Sequence, residues 1–259
     1  MWTLVMKHAL IVGLIFSCLP LVAVGITFNI VGDDDFPPFS YIDQDEQVRG
    51  IDVDLMHEMA SRLGIKVNIE LVPWKRLLSM TKNGDVVGSF SLFKTPEREA
   101  FAHFTYPVHY STYKLFTVKN NPVSFENIDS LYGKRIGLSA GFVISDDFDA
   151  ARARGDINVV EIYHYDDAFR RLVKGGIDAF VGNELVVKYK LKHEYSENKV
   201  FSTIVPLAKP LKQSRGGFFV LSKKFPLKDK FKWQERFTDT LMMMEQDGIA
   251  EKVIQIYKN

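Results

Sequence analysis

A single cysteine in 259 residues is what this chain most conspicuously lacks company for. It is Cys18, inside an apolar run from Ala9 to Val24 that follows Lys7 and His8. Ala23-Val24-Gly25 puts small residues where signal peptidase reads, so residues 1–25 read as a secretory signal peptide cleaved before Ile26. The run is short for an uncleaved membrane anchor. Phe16 is bulky for a lipobox, and apolar residues continue past Cys18, which argues against lipidation. The mature chain then has no cysteine, which excludes disulfides, a thiolate nucleophile and a cysteine metal site. An exported protein without disulfides needs a large core, built as one large domain or two ordinary ones.

Other absences narrow the function. The 33 Lys and Arg, less Lys7, leave 32 against 32 acidic residues, so no charge excess recommends nucleic acid as a partner. No later segment approaches the length of a membrane span. No Gly-rich phosphate loop is present, and the six histidines form no close pair. The expectation is therefore no cofactor and no metal. Neither a solenoid repeat nor a Ser/Pro-rich linker interrupts the chain.

What is present is an alternation of strand-like and helix-like stretches, the pattern of an α/β fold. Ile26–Val31 reads as a strand, Val53–Leu63 as a helix stopped by Gly64, and Lys66–Leu71 as a strand of period two. A helix follows over Trp74–Thr81, then a strand over Val86–Leu92. A similar cycle returns later, with strands expected at Tyr113–Val118, Arg135–Leu138, Val159–Ile162, Ile177–Val181, Val200–Ile204 and Gly217–Leu221. Helices are expected near Ile144–Ala151, over Tyr165–Lys174, from Asn183, and from about Lys228 to Tyr257 with a break at Asp247-Gly248. Two α/β units without a floppy linker suggest two lobes joined by strands. A ligand then belongs between them, outside the carboxyl ends of the strands.

Thr95-Pro96-Glu97-Arg98 is the most informative motif. Thr95 suits a helix N-cap, Pro96 the first helical position, and Glu97 the positive end of the dipole. Arg98 does not suit that end. A guanidinium beside free N–H groups points to an anion, most naturally a carboxylate; the alternative is a capped surface helix with a solvated Arg98. Further candidates follow other strands. In Asp33-Asp34-Asp35-Phe36-Pro37-Pro38-Phe39 the prolines fix the backbone, with Phe36 expected in a pocket and Phe39 in the core. Asp33–Asp35 also reads as a solvated turn, and the spaced ligands of a calcium loop are missing. Trp74, after Pro73, reads as a core anchor or as a ring against a ligand. Arg76, one turn into that helix, reads as a surface residue or a second anion ligand.

Several segments in order now resemble a known family. They are Asp34–Tyr41, Gly50-Ile51-Asp52-Val53-Asp54-Leu55, Thr95–Arg98, Phe104-Thr105-Tyr106-Pro107, Leu131–Gly137, Gly176–Phe180 and Asp247-Gly248-Ile249-Ala250. The family is the periplasmic solute-binding proteins of ABC transporters, in the group that binds polar amino acids (family 3). The resemblance covers Ile26–Tyr257. It implies a bilobal periplasmic-binding-protein fold of two α/β lobes joined by a two-strand hinge. Lobe 1 would comprise 26–111 and 217–259, and lobe 2 would comprise 112–216. It implies a periplasmic monomer that traps a small carboxylate-bearing solute by hinge closure and hands it to an inner-membrane ABC permease. Arg98 would take the carboxylate, Phe36 and Trp74 would pack on the solute, and Ser91 would add a polar group. The turn Gly141-Phe142-Val143 would offer backbone N–H groups.

The chain departs from its relatives at three places. Phe93 stands where they carry a hydroxyl, and Phe142 and Val143 stand where they carry Ser or Thr after the glycine. Asn183, followed by Glu184, stands where an Asp binds the ligand ammonium. Neutral Asn accepts a hydrogen bond but does not neutralise a cation. The anion clamp is kept and the cation clamp weakened, unless Glu184 turns inward. The expectation is a carboxylate with substantial apolar or aromatic surface, bound and not transformed. Two alternatives stand beside this. One is an enzyme of the cyclohexadienyl dehydratase type, with Glu184 or Asp33 as a cleft acid. The other is a sensory protein that presents its ligand state to a receptor.

Overall fold

A computed structural model describes residues 27–258. The expected signal peptide and its expected cleavage point lie outside the described residues. The chain begins with β1 (Thr27–Asp33), then a three-stranded ribbon of β2 (Asp35–Phe36), β3 (Ser40–Ile42) and β4 (Val48–Arg49). Next come α1 (Ile51–Leu63), β5 (Lys66–Val72), α2 (Trp74–Asn83), β6 (Gly88–Leu92) and the single turn α3 (Pro96–Glu99). The long strand β7 (Ala102–Val118) leads to β8 (Arg135–Ser139), α4 (Asp146–Arg154), β9 (Asn158–Ile162) and α5 (Tyr165–Val173). Then follow β10 (Ala179–Asn183), α6 (Glu184–His193), β11 (Ile204–Pro206), β12 (Lys212–Ser222), α7 (Lys230–Gln246) and α8 (Ile249–Lys258).

The sheet order is β5-β1-β6-β12-β7-β10-β8-β9, with β11 added on β7. β5 and β6 run parallel to β1, and β8 lies parallel to both β10 and β9. These are two parallel βα units, each buried by its crossover helices. β7 joins them: its first part pairs with β12, and its residues from Tyr113 to Val118 pair with β10 and β11. The fold is therefore α/β and bilobal, with β7 and β12 as the connecting strands. The β7–β12 register shifts between Lys212 and Arg215 and again between Gly217 and Phe218, so the ladder is irregular where the lobes meet.

Local rules explain most of the element ends. Gly64, Gly84 and Gly155 end α1, α2 and α4 in the left-handed conformation. The Thr95 hydroxyl accepts the Arg98 N–H at 3.2 Å, capping α3 as its sequence implied. In lobe 1, Phe28 packs edge-on to Trp233 and Phe237 at 4.8 and 5.7 Å, fixing α7 against the sheet. Phe169, Phe180, Tyr195 and Phe201 do the same in lobe 2. Each such pair adds about 1 kcal/mol beyond its buried area.

Three expectations are corrected. The strand expected at Tyr113–Val118 starts at Ala102, because pairing with β12 extends it through a polar stretch. The strand expected at Val200–Ile204 is a short 3₁₀ turn, Phe201–Thr203, with only Ile204–Pro206 in the sheet. The helix expected near Ile144–Ala151 starts two residues later, since Ile144 N–H donates to Asp149 Oδ2 at 2.9 Å and Asp146 opens the helix.

Candidate functional site at the lobe interface

Arg98 is buried, 5% exposed. Its Nη1 donates to Phe93 O at 3.0 Å, and its Nη2 reaches Gly141 O at 3.4 Å. The first carbonyl follows β6 and the second follows β8, so one guanidinium touches both lobes. Its carbon lies 5.1 Å from the Trp74 ring centre. Among the described residues no carboxylate lies within ion-pair distance of Arg98. Burial lowers its pKa to about 10, and the nearby Arg215 guanidinium pushes the same way.

Trp74, which the guanidinium faces, is also a wall of a cavity of about 300 Å³ that Arg98 itself does not line; Asp33, Phe36 and Trp74 enclose it from one lobe and Ser139, Phe142 and Tyr165 from the other. A second space of only about 10 Å³ lies deeper, between Asp33, Phe36, Trp74, Ser91, Phe93 and Phe142. The structure thus brings together Phe36, Trp74, Ser91, Phe93, Arg98 and Phe142. Trp74 meets the Phe142 ring edge-on at 5.5 Å, and its buried Nε1 has no hydrogen-bond partner. Phe39 is core, stacked on Phe36 at 5.2 Å and on His109 at 4.3 Å.

Ser91 sits at φ 64, a left-handed conformation unusual for a side chain with a Cβ. A buried network supports it. The Ser91 hydroxyl donates to Asp52 Oδ2, and Asp52 Oδ1 lies 2.6 Å from His109 Nδ1. Asp52 stood out in the sequence only within the segment Gly50–Leu55, and His109 only as one of six scattered histidines; a polar residue on the apolar face of α1 was the available signal for Asp52.

Other expected residues stand apart. Arg76 projects from α2 on the surface, its side chain 63% exposed and 3.7 Å from Glu70. Glu184 bonds Lys114 at 3.1 Å and Lys188 at 2.6 Å. Burial pushes its pKa up, but the bonds from Lys188 and Lys114 outweigh that and hold it below its ordinary value. Asn183 is buried, and its Oδ1 caps α6 by accepting from Leu185 and Val186 N–H at 3.0 and 3.3 Å. Its amide lies beside the buried Tyr113 hydroxyl without a well-formed bond. Val143 offers its carbonyl to Arg215.

Asp33, expected as a possible cleft acid, is joined at the interface by two features that escaped the sequence. Asp33 is buried at the cavity wall, and burial, with Asp35 and Asp34 adding to it, raises its pKa to about 7. Lys190, 3% exposed on α6, donates to Asp35 across the lobes and to Glu194 at 3.1 Å. Lys75 lies 4.7 Å from the Tyr163 ring centre at the cavity mouth. No local pattern marks such pairs, because their partners are distant in sequence.

Comparison with known proteins gives a consistent picture. The model of the family described as bacterial extracellular solute-binding proteins, family 3, matches residues 28–259. A protein described as a probable histidine-binding protein of Neisseria gonorrhoeae is 25% identical over 70% of this chain and 67% of its own length. The lysine/arginine/ornithine-binding periplasmic protein of Escherichia coli K12 is 24% identical over 98% of this chain and 95% of its own. Among solved structures, a histidine kinase sensor domain with similarity to periplasmic binding proteins superposes with a TM-score of 0.76 at 23% identity, covering 90% of this chain and 96% of that one.

Proposed function

The chain belongs to the bacterial extracellular solute-binding proteins, family 3, and on that premise we propose that it captures a small carboxylate-bearing solute between its lobes for ABC-transporter uptake. The observation that carries this reading is Arg98: a buried cation at the lobe interface with no carboxylate of its own. A bidentate carboxylate satisfies the remaining N–H donors and offsets the cost of burial. Lobe 1 comprises 26–111 and 217–259, lobe 2 comprises 112–216, and closure turns on the irregular β7–β12 ladder.

Phe36, Trp74 and Phe142 pack on the solute, Phe93 closes the rear, Ser91, whose proton goes to Asp52, contributes an accepting oxygen, and the Gly141–Val143 turn offers the Gly141 and Val143 N–H groups, the Phe142 N–H being held by Ser139 O at 3.0 Å. With Asn183 in place of an acid, and Glu184 held by two lysines, the lobe-2 side does not demand an ammonium. The solute is a carboxylate with apolar or aromatic surface. The protein works in the periplasm as a monomer that meets an inner-membrane permease.

A thermal-shift screen followed by calorimetry, on amino acids and non-amino carboxylates together, tests this. Stabilisation by an aromatic or apolar carboxylate supports the reading. Exclusive tight binding of a common α-amino acid overturns the altered specificity, and carboxylate binding unaffected by Arg98→Ala overturns the clamp.

One observation favours a second reading. The Asp33 carboxyl, titrating at about 7 beside the cavity, has the property of a general acid. Turnover of prephenate or arogenate, lost in Asp33→Asn, would make the protein an enzyme of the dehydratase type. No turnover leaves it a binder.

A further inference from the structure

Arg215 brings a second guanidinium to the lobe interface. It projects from β12, one of the two connecting strands, and its carbon lies 3.8 Å from the centre of the Phe93 ring. Its Nη1 donates to Val143 O in the lobe-2 turn. It therefore touches a connecting strand, the end of β6 and the turn after β8 at once. Like Arg98, it has no carboxylate within ion-pair distance among the described residues. The two cations are close enough for Arg215 to depress the pKa of Arg98, and burial lowers that of Arg215 itself.

Arg215 also lines a separate cavity of about 430 Å³. Lys94, Thr95, Ser145, Asp149 and Lys212 line it too. Lys94 is engaged by Glu99 at 3.0 Å. Asp149 uses Oδ2 to accept the Ile144 N–H, and its Oδ1 is buried without a partner. A guanidinium has five N–H donors, and the structure uses one or two on each arginine. With Asn183 neutral, the described interface holds two partly desolvated guanidiniums, neither of them ion-paired, while Asp146 and Asp149 line the cavity at Arg215 and Asp33 to Asp35 line the other.

We propose that Arg215 is a specificity-determining residue of the cleft, and that the preferred solute is a diacid whose first carboxylate lies on Arg98 and whose second lies on Arg215. This rests on the solute-binding reading above and deepens it. A single carboxylate neutralises one guanidinium and leaves the other unmatched in a low-dielectric site. A second makes charge-assisted bonds at both ends, the stronger kind. Phe93 holds the Arg215 head in place, which explains a large apolar ring where a hydroxyl was expected.

The test is calorimetry with succinate, glutarate, adipate and glutamate, each against its mono-amide, at low and moderate salt. Each pair keeps shape and changes one charge. The diacid of the fitting length binds about tenfold or more tighter than its amide. Arg215→Gln brings that ratio near one while the amide's affinity holds, and Arg215→Lys retains part of the ratio. Asp149→Asn, which removes a carboxylate facing Arg215, tightens diacid binding. The ratio in the unsubstituted protein is informative even if Arg215→Gln fails to fold. Equal binding of diacid and amide, or a ratio indifferent to Arg215, overturns the proposal. So does weaker binding in Asp149→Asn, which would mark Asp149 as a partner for a cationic group. If inorganic phosphate alone stabilises the protein through Arg215 and the ratio is near one, the cavity at Arg215 holds a separate anion and the two-carboxylate assignment fails. If no carboxylate of either kind binds, the solute-binding reading itself fails.

Discussion

Replacing Arg98 by methionine separates what the guanidinium does for folding from what it does for the solute. Burial moves its pKa from 12.5 to about 10. At 1.36 kcal/mol per unit, that is roughly 3 kcal/mol against holding the charge in the folded state. Opposing it are the bonds to Phe93 O and Gly141 O, about 1 kcal/mol each, and the contact with Trp74, about 0.5–1 kcal/mol. The terms nearly cancel. Arg98→Met is therefore expected to leave the stability of the solute-free protein within about 1 kcal/mol of its original value, a shift of about 2–4 °C in Tm. Solute affinity, by contrast, loses two charge-assisted bonds of about 1.5 kcal/mol or more each, so it falls by about 100-fold or more. Urea unfolding and calorimetry on the same preparations read both quantities. A destabilisation well beyond about 3 kcal/mol with solute binding retained would refute the reasoning and make Arg98 a structural brace.

Asp33 predicts a pH dependence. Its pKa rises from 3.8 to about 7 on folding, so between those values the native state keeps a proton that the unfolded chain has lost. Stability therefore falls as pH rises through that window, and the full penalty applies above about pH 7. Asp34 and Asp35 reinforce the shift and Lys190 opposes it. Asp33→Asn should flatten this part of the urea-unfolding profile, and a profile unchanged by the substitution counts against it. Carboxylate affinity should weaken over the same rise in pH, because Asp33 ionises beside the cavity. Asp35→Asn removes the charge from the inter-lobe bond that Lys190 donates, and leaves Glu194 as the ion-pair partner of Lys190; with Asp35 half exposed, closure weakens by about 1 kcal/mol or less, read as a loss of affinity of a few-fold at most. Gly88→Ala drives a Cβ to 1.9 Å from Val220 O, a backbone atom that cannot move aside. It should cost about 3 kcal/mol or prevent folding, as circular dichroism and urea unfolding would show.

The α/β alternation was legible because each βα unit carries its own signals. α1 shows helical spacing closed by Gly64, and α3 shows a Thr-Pro start, and both form where those signals stand. Legibility failed where a partner strand decided the outcome. Ala102–Tyr110 extends because β12 lies beside it, and Val200–Thr203 winds into a 3₁₀ turn because its N–H groups bond locally, Phe201 to Asn198 O and Thr203 to Val200 O. Arg98, Phe36 and Trp74 stood out because each follows a strand expected from the sequence and the carboxyl ends of strands converge in such folds, whereas Ser91, Phe93 and Phe142 were candidates only through the family resemblance. Arg76 and Glu184 sit close to Trp74 and Asn183 in sequence yet turn to Glu70, Lys114 and Lys188. Helix phase and local ion pairs set those directions.

By itself, the sequence determined the order of elements, the caps that begin and end them, and the placement of a cation after β6. These depend on interactions within a few residues, where spacing alone decides geometry. Only the tertiary structure decided that Arg215, over a hundred residues downstream, stacks on Phe93, that Lys190 reaches Asp35, and that Asp52 and His109 hold Ser91 in its unusual conformation. It also decided that, of the two acids the sequence offered for the cleft, Asp33 is the buried one, its pKa raised to about 7 by that burial. Burial and charge proximity are properties of the packed whole, set when two lobes close on each other, and no short stretch of chain encodes them.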